Sequence, residues 1–203
     1  MAKHIKVGIP ANEAERWAFK MLKHNLPDSY YLITNTELYS NENHPMEIDA
    51  IVIGDWAVYL IDVKGYRGEL IVNQDIWKHG YKNINNPLKK LNHHARVLAG
   101  KCKNKALVHQ HAPWCQSLVF VTGGTDGDIN IVQSNSESEI AVYNPSNIIE
   151  VLTNKEFVTS RYSNKLEEYQ RNIVIQVLSD FDLNRETNKC LSSYSKKEIV
   201  FKD

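Results

Sequence analysis

The sequence predicts a mixed α/β domain, a β-sheet with helices on its faces. Three observations point there. Residues Glu47 to Gly68, "EIDAIVIGDWAVYLIDVKGYRG", hold two β-branched, apolar runs separated by a Gly54-Asp55 turn. Apolar residues recur at helical spacing from Asn12 to His24 and again from Pro87 to Lys103. The remaining apolar runs, set between polar turns, give the order helix, strands, helix, strand, helices.

The first helix has Asn12 as its expected N-cap and Glu13 and Glu15 in its first turn, where carboxylates complement the helix dipole. Ala14, Trp17, Ala18, Met21 and Leu22 form its apolar stripe, and the segment around Pro27 ends it. "YYLITNTEL" (30–38) reads as a strand and "NENHP" (41–45) as a loop. After the two strands of the hairpin, "GELIVNQDIW" (68–77) is expected to continue the same sheet through Val72 and turn at Asn73 to Asp75. Pro87 suits a first helical turn, and Leu88, Leu91, Ala95 and Leu98 make a core stripe. "QSLVFVT" (116–122) is a buried strand. "INIVQ" (129–133) and "EIAVY" (139–143) are edge strands separated by a polar Ser/Asn loop. Helices follow near Pro145 to Leu152 and from Asn164 to about Asp180. We expect a core over 1–125 and a strand-and-helix extension over 126–203 packing on it. The strand-like "EIVF" near the C-terminus suggests a chain leading into a further domain of a longer protein.

With 203 residues, 42% hydrophobic and 24% charged, the chain can bury a sizeable core. No apolar run approaches the ~18–20 residues that span a bilayer, and the N-terminus lacks an apolar signal core, so the cytoplasm is the expected location. Cys102, Cys115 and Cys190 are widely spaced and read as reduced thiols. The formal net charge is zero, but the charges are segregated. From Ile76 to Thr125 there is no Asp or Glu, against eight Lys or Arg and five His. Such a segment is either a solvated basic face or an electrostatic footprint for phosphates. Lys78, Lys82, Lys89, Lys90 and Arg96 are the candidate DNA contacts. His94 borders the second helix's apolar stripe and reads as a packed histidine.

The hairpin places three carboxylates and a lysine in the most hydrophobic part of the chain, where charges need a partner or a metal. Alternate strand residues share a face, so Glu47 goes with Asp49 and Asp62 with Lys64. Pairing about Gly54-Asp55 makes Asp49 and Asp62 neighbours. Two adjacent carboxylates repel unless a cation lies between them, and oxygen ligands suit Mg²⁺ or Mn²⁺. Lys64 can hold a phosphate or help activate a water. The other reading is an internal ion-pair cluster, an arrangement that rarely stabilises relative to apolar residues. Glu15 shares a helix face with Ala18, Phe19 and Leu22, near the sheet edge, whereas Glu13 aligns with Trp17 and Lys20.

"EIDAIVIGDWAVYLIDVKGYRGEL" resembles the core of the nuclease-related domain (NERD) family, a branch of the PD-(D/E)xK nuclease superfamily. The likeness spans roughly 8 to 122. It includes "NEAE" on the first helix, Ile48-Asp49, "IDVKGYRG", Trp77 and the Asn86-Pro87-Leu88 that opens a helix. It departs at Lys90, where the family often has glutamine, and at Asp62, where glutamate is commoner. The resemblance implies a restriction-endonuclease-like fold with a central mixed sheet. It also implies a DNA nuclease site at Glu15, Asp49, Asp62 and Lys64, in which the three carboxylates bind Mg²⁺ or Mn²⁺. "NEAERWAF" and "VKGYRG" are similar to N-terminal domains of large phage-defence proteins with a kinase-like region, whose other domains or complex subunits would be partners. The rival expectation is a non-cleaving DNA-binding or assembly module of a larger protein.

Overall fold

The computed structural model of the chain describes residues 1–39, 45–107, 111–124, 128–133, 140–160 and 164–181. Its elements are β1 (Lys3–Lys6), α1 (Glu13–Asn25), β2 (Tyr31–Tyr39), β3 (Pro45–Ile53), β4 (Val58–Lys64), β5 (Gly68–Val72), β6 (Ile76–His79), β7 (Lys82–Asn85), α2 (Pro87–Lys105), β8 (Cys115–Val121), β9 (Ile129–Gln133), β10 (Val142–Tyr143), α3 (Ile148–Thr153) and α4 (Glu168–Phe181). Six strands form one sheet in the order β1-β2-β3-β4-β8-β10, and four form a second in the order β7-β6-β5-β9. The first sheet is mixed: β2, β3 and β4 run as an antiparallel meander, while β1, β8 and β10 join in parallel.

Alternation along the central strands builds two cores. Leu32, Ala50, Val52, Tyr59, Ile61, Leu118 and Phe120 face α1 and α3, packing against Ala18, Phe19, Leu22, Ile148, Val151 and Leu152. Ile33, Ile51, Ile53, Val58 and Leu60 face the other way, onto Leu91, Ala95 and Leu98 of α2 and Val174 and Leu178 of α4. β3 and β4 are buried on both faces, which is why their sequences are almost continuously apolar. The buried face of α1 runs through Glu15, Ala18, Phe19 and Leu22. The expected stripe through Trp17 and Met21 is only partly buried, so the helix is rotated to put Glu15 inward.

One expectation fails in an informative way. "GELIV" does not continue the first sheet. β4 already has β3 on one side and β8 on the other, so no edge is open to β5. The chain instead leaves through Gly65 to Arg67 and starts a second sheet, whose β6–β7 hairpin follows the expected turn at Asn73 to Asp75. Leu70, Val72 and Trp77 of that sheet pack against Val119, Val121 and Val142, with Leu88 of α2 between them, a third core beside the end of β4.

β9 and β10 are edge strands, one in each sheet, as expected. Pro45, expected in a loop, opens β3, a position that tolerates a residue without an N–H. The rest of "NENHP", the Ser/Asn loop at 134–139 and the terminal "EIVF" lie outside the described residues. α4 begins at Glu168 rather than Asn164, after Leu166 has donated its N–H to the Asp55 carbonyl at 2.6 Å. No helix among the described residues is long and apolar enough to cross a membrane. Cys102 and Cys115 are free and buried, and burial pushes the Cys102 thiol up to about 12, so neither is a nucleophile.

Asn86 ties α2 to the second sheet. Its Oδ1 accepts from Leu88 N–H at 2.9 Å as the N-cap, and its Nδ2 donates to the Gln74 carbonyl at 2.9 Å. Asn86→Ala should cost about 2 kcal/mol in urea denaturation, one cap and one further hydrogen bond. Asn86→Asp, which keeps the acceptor and loses the donor, should fall between the two.

Candidate active site

The site lies where β4 leaves the first sheet. The register Ala50↔Ile61, continued by one residue, sets Asp49 of β3 directly opposite Asp62 of β4. The neighbourhood that the hairpin predicted is therefore formed. Asp49 Oδ2 accepts from Val63 N–H at 2.7 Å. Its pKa is raised to about 6: burial is the main cause, the Val63 hydrogen bond opposes it, and the charges of Asp62 and Glu15 add to it against Lys64.

Lys64 and Asp62 stand two residues apart on one face of β4. The ammonium donates to Asp62 Oδ1 at 2.8 Å and lies 2.8 Å from Oδ2. The ammonium thus spans both oxygens of the Asp62 carboxylate, and Oδ2 is buried beneath it. Burial works to lower the Lys64 pKa, but the charge and hydrogen bond of Asp62, together with Asp49, outweigh it and raise the value. Lys64 is therefore charged at neutral pH. It is a donor and an electrostatic clamp rather than a base.

Glu15 enters from α1 and is 6% exposed. Its carboxylate is committed to three donors: Asn12 Nδ2 to Oε1 at 2.8 Å, and Ala11 N–H at 2.8 Å and Asn35 Nδ2 at 3.2 Å to Oε2. Glu15 N–H in turn donates to Asn12 Oδ1 at 3.0 Å, so Asn12 and Glu15 cap the helix reciprocally. The cap holds Glu15 where its charge reaches Asp49. Glu13 stays at the surface, paired with Arg16. Gly65, after Lys64, is required by close approach: a Cβ there would lie 2.9 Å from Ala14 Cβ on α1.

Among the described residues no three His, Cys, Asp or Glu side chains converge closely enough to hold a metal ion by themselves. The donors that do meet are two carboxylates. They fit a hard cation that keeps most of its water, and Asp62 presents a carboxylate whose present partner is the Lys64 ammonium.

Lys78, Lys82, Lys89, Lys90 and Arg96 are all exposed. Lys78 and Lys82 sit at the turn end of the β6–β7 hairpin, while Lys89, Lys90 and Arg96 lie on α2. Lys89 is not unopposed, as its segment's composition implied, because Asp75 folds back to 2.7 Å from its ammonium. His94 is a packed residue, 2% exposed, with its pKa lowered to about 4 by burial and then by Lys90 and His93.

Two residues at the site went unassigned from sequence. Tyr66 stacks on His79 with ring centroids 5.0 Å apart, its phenol pKa raised by burial and by Asp62 against Lys64. Asn35 touches Glu15 from a β-strand. Its only signal was an asparagine between two threonines in the middle of a strand.

A mixed sheet flanked by helices, with acid, acid and lysine at the end of its central hairpin, defines a nuclease-like α/β core. The profile of the nuclease-related domain (NERD) matches residues 10–122, more than half of the chain, and the protein belongs to that family. No curated protein and no solved structure matches the chain.

Folded Asp49 keeps its proton up to about pH 6, whereas an unfolded aspartate loses it near 3.8. Between those values the folded state binds the extra proton, so stability falls as pH rises, by about 2–3 kcal/mol in all. Asp49→Asn keeps an acceptor for Val63 N–H and removes that loss. Chemical denaturation should find it more stable than the parent by about 2 kcal/mol at pH 7.5 and equal to it near pH 4. Equal destabilisation at both pH values would contradict the burial of a charged Asp49.

Proposed function

We propose that the chain is a divalent-cation-dependent nuclease that hydrolyses DNA phosphodiester bonds, serving phage defence or DNA processing. The observation that carries this reading is the Asp49–Asp62–Lys64 cluster in a nuclease-related domain, two facing carboxylates beside one ammonium. Asp49 and Asp62 would hold Mg²⁺ or Mn²⁺, and Glu15 would act on it through water from its capped position. When bound, the cation polarises the phosphoryl oxygen and lowers the pKa of a neighbouring water.

The residues of the chain divide the remaining work. Lys64, charged and beside Asp62, would offer its N–H donors to a phosphate oxygen or the attacking water. Asp49 must be ionised to act, which sets a lower pH limit near its value of about 6. Lys78, Lys82, Lys89, Lys90 and Arg96 grip the DNA backbone. Support for the α2 part comes from its first turn, which has no acidic residue and two lysines. Lysines there oppose the helix dipole, a cost that a bound phosphate would reverse.

A non-cleaving DNA-binding or assembly module is the second reading. It is favoured by the closed Lys64–Asp62 ion pair and by a Glu15 carboxylate already committed to three donors. Cleavage of supercoiled, linear and single-stranded DNA in Mn²⁺, Mg²⁺ or EDTA separates the two. The nuclease loses turnover in EDTA and in Asp62→Ala, whereas the module binds DNA equally well in both.

Lys64→Ala should lower cleavage roughly 100-fold or more while DNA affinity stays nearly unchanged. Lys89→Ala with Lys90→Ala should weaken binding and reduce the slope of log K against log salt by about 2. Equal loss of cleavage and binding in both variants would contradict this division.

A further inference from the structure

Asn35, near the site, has a backbone conformation unusual for a strand. It lies within β2 at φ +53, the only non-glycine left-handed residue among those described. Asparagine tolerates that region better than most residues, but mid-strand it still interrupts pairing. The β2–β3 ladder passes from Thr34↔Ala50 to Thr36↔Ile48, leaving Asn35 opposite Asp49 and outside the register pairs. Since Asp49 is opposite Asp62, one row runs Asn35, Asp49, Asp62 across three adjacent strands. The apolar alternation also slips here. Ile33 and Leu38 on β2 reach the same core, as do Ile48 and Ile51 on β3.

The side chain is as unusual as the backbone. Nδ2 donates to Glu15 Oε2 at 3.2 Å, which fixes the direction of the amide. Oδ1 is then turned away from Glu15, buried, and without a hydrogen-bond partner. Gly8 leaves room for this arrangement: a Cβ there would lie 3.0 Å from both the Cβ and the carbonyl oxygen of Asn35. A strained backbone and an unsatisfied buried oxygen in one residue, in line with two carboxylates, are the costs that functional sites retain.

We propose that Asn35 is a positioning residue that supplies a neutral oxygen, Oδ1, to the hydrated divalent cation held by Asp49 and Asp62. The inference rests on the cation-dependent reading of the site. It adds a third oxygen from a third strand, without a third negative charge, where the carboxylates alone leave most positions to water.

The test is Mn²⁺ binding by isothermal titration calorimetry on the full chain, with thermal unfolding of each variant alongside. Glycine suits a left-handed residue, which offsets the loss of the Glu15 hydrogen bond, so Asn35→Gly should unfold near the temperature of the parent. It should nevertheless bind Mn²⁺ roughly tenfold more weakly. Asn35→Asp keeps an oxygen at that position, though it sets a second carboxylate against Glu15, and should bind Mn²⁺ more tightly than Asn35→Gly. If the parent binds Mn²⁺, Asp49→Asn does not, and Asn35→Gly matches the parent, the role of Asn35 is overturned while the cation site stands. If the parent binds no Mn²⁺, both fall.

Discussion

Everything at this site depends on Asp49 and Asp62 facing each other across the β3–β4 ladder. The register that puts them there is set far from them, by the hairpin in which Gly54 N–H donates to the Ala57 carbonyl and by the apolar pairs Ile51↔Leu60 and Val52↔Tyr59. A slip of one residue would turn the apolar set of either strand to its wrong face, so burial on both faces locks the carboxylates together. The electrostatic consequence follows. Burial, with the charge of Asp62 added, raises the energy of the charged form of Asp49, so Asp49 protonates more readily, while Lys64 closes onto Asp62.

The surrounding elements converge on that pair. The first turn of α1 approaches so closely that Gly65 has no room for a side chain, and its cap holds Glu15 within electrostatic reach of Asp49. On the other side, Gly65 to Arg67 carries the chain into the second sheet, where His79 Nε2 lies 2.7 Å from the Arg67 carbonyl and Tyr66 stacks on His79. The acid pair thus sits at a seam between two sheets and a helix start.

Much of this was legible in the sequence because it is local or periodic. The hairpin announced itself by uninterrupted apolar and β-branched residues around Gly54-Asp55, and pairing the strands about that turn made Asp49 and Asp62 neighbours, although the connection spans residues 54–57. Asn12 and Pro87 marked helix starts through capping chemistry that needs only neighbours in sequence. What was hidden is non-local. The capture of the free edge of β4 by β8, more than fifty residues later, sends "GELIV" into a second sheet, and no pattern within "GELIV" encodes that. The left-handed turn of Asn35 and its contact with Glu15 also arise only once β2, β3 and α1 are assembled. The pairing of Lys89 with Asp75 escaped a charge count because the acid lies one residue outside the basic segment.

The central claim is that the Asp49–Asp62 pair is built to receive a divalent cation. Thermal unfolding with excess Mg²⁺ against EDTA, at about pH 7.5 and about pH 5, tests it most directly. A cation that binds the folded state raises its melting temperature, and only while Asp49 is ionised. The account predicts a rise at the higher pH that disappears at the lower pH and in Asp62→Asn. A melting temperature indifferent to Mg²⁺ at both pH values, or a rise that persists in Asp62→Asn, would contradict it.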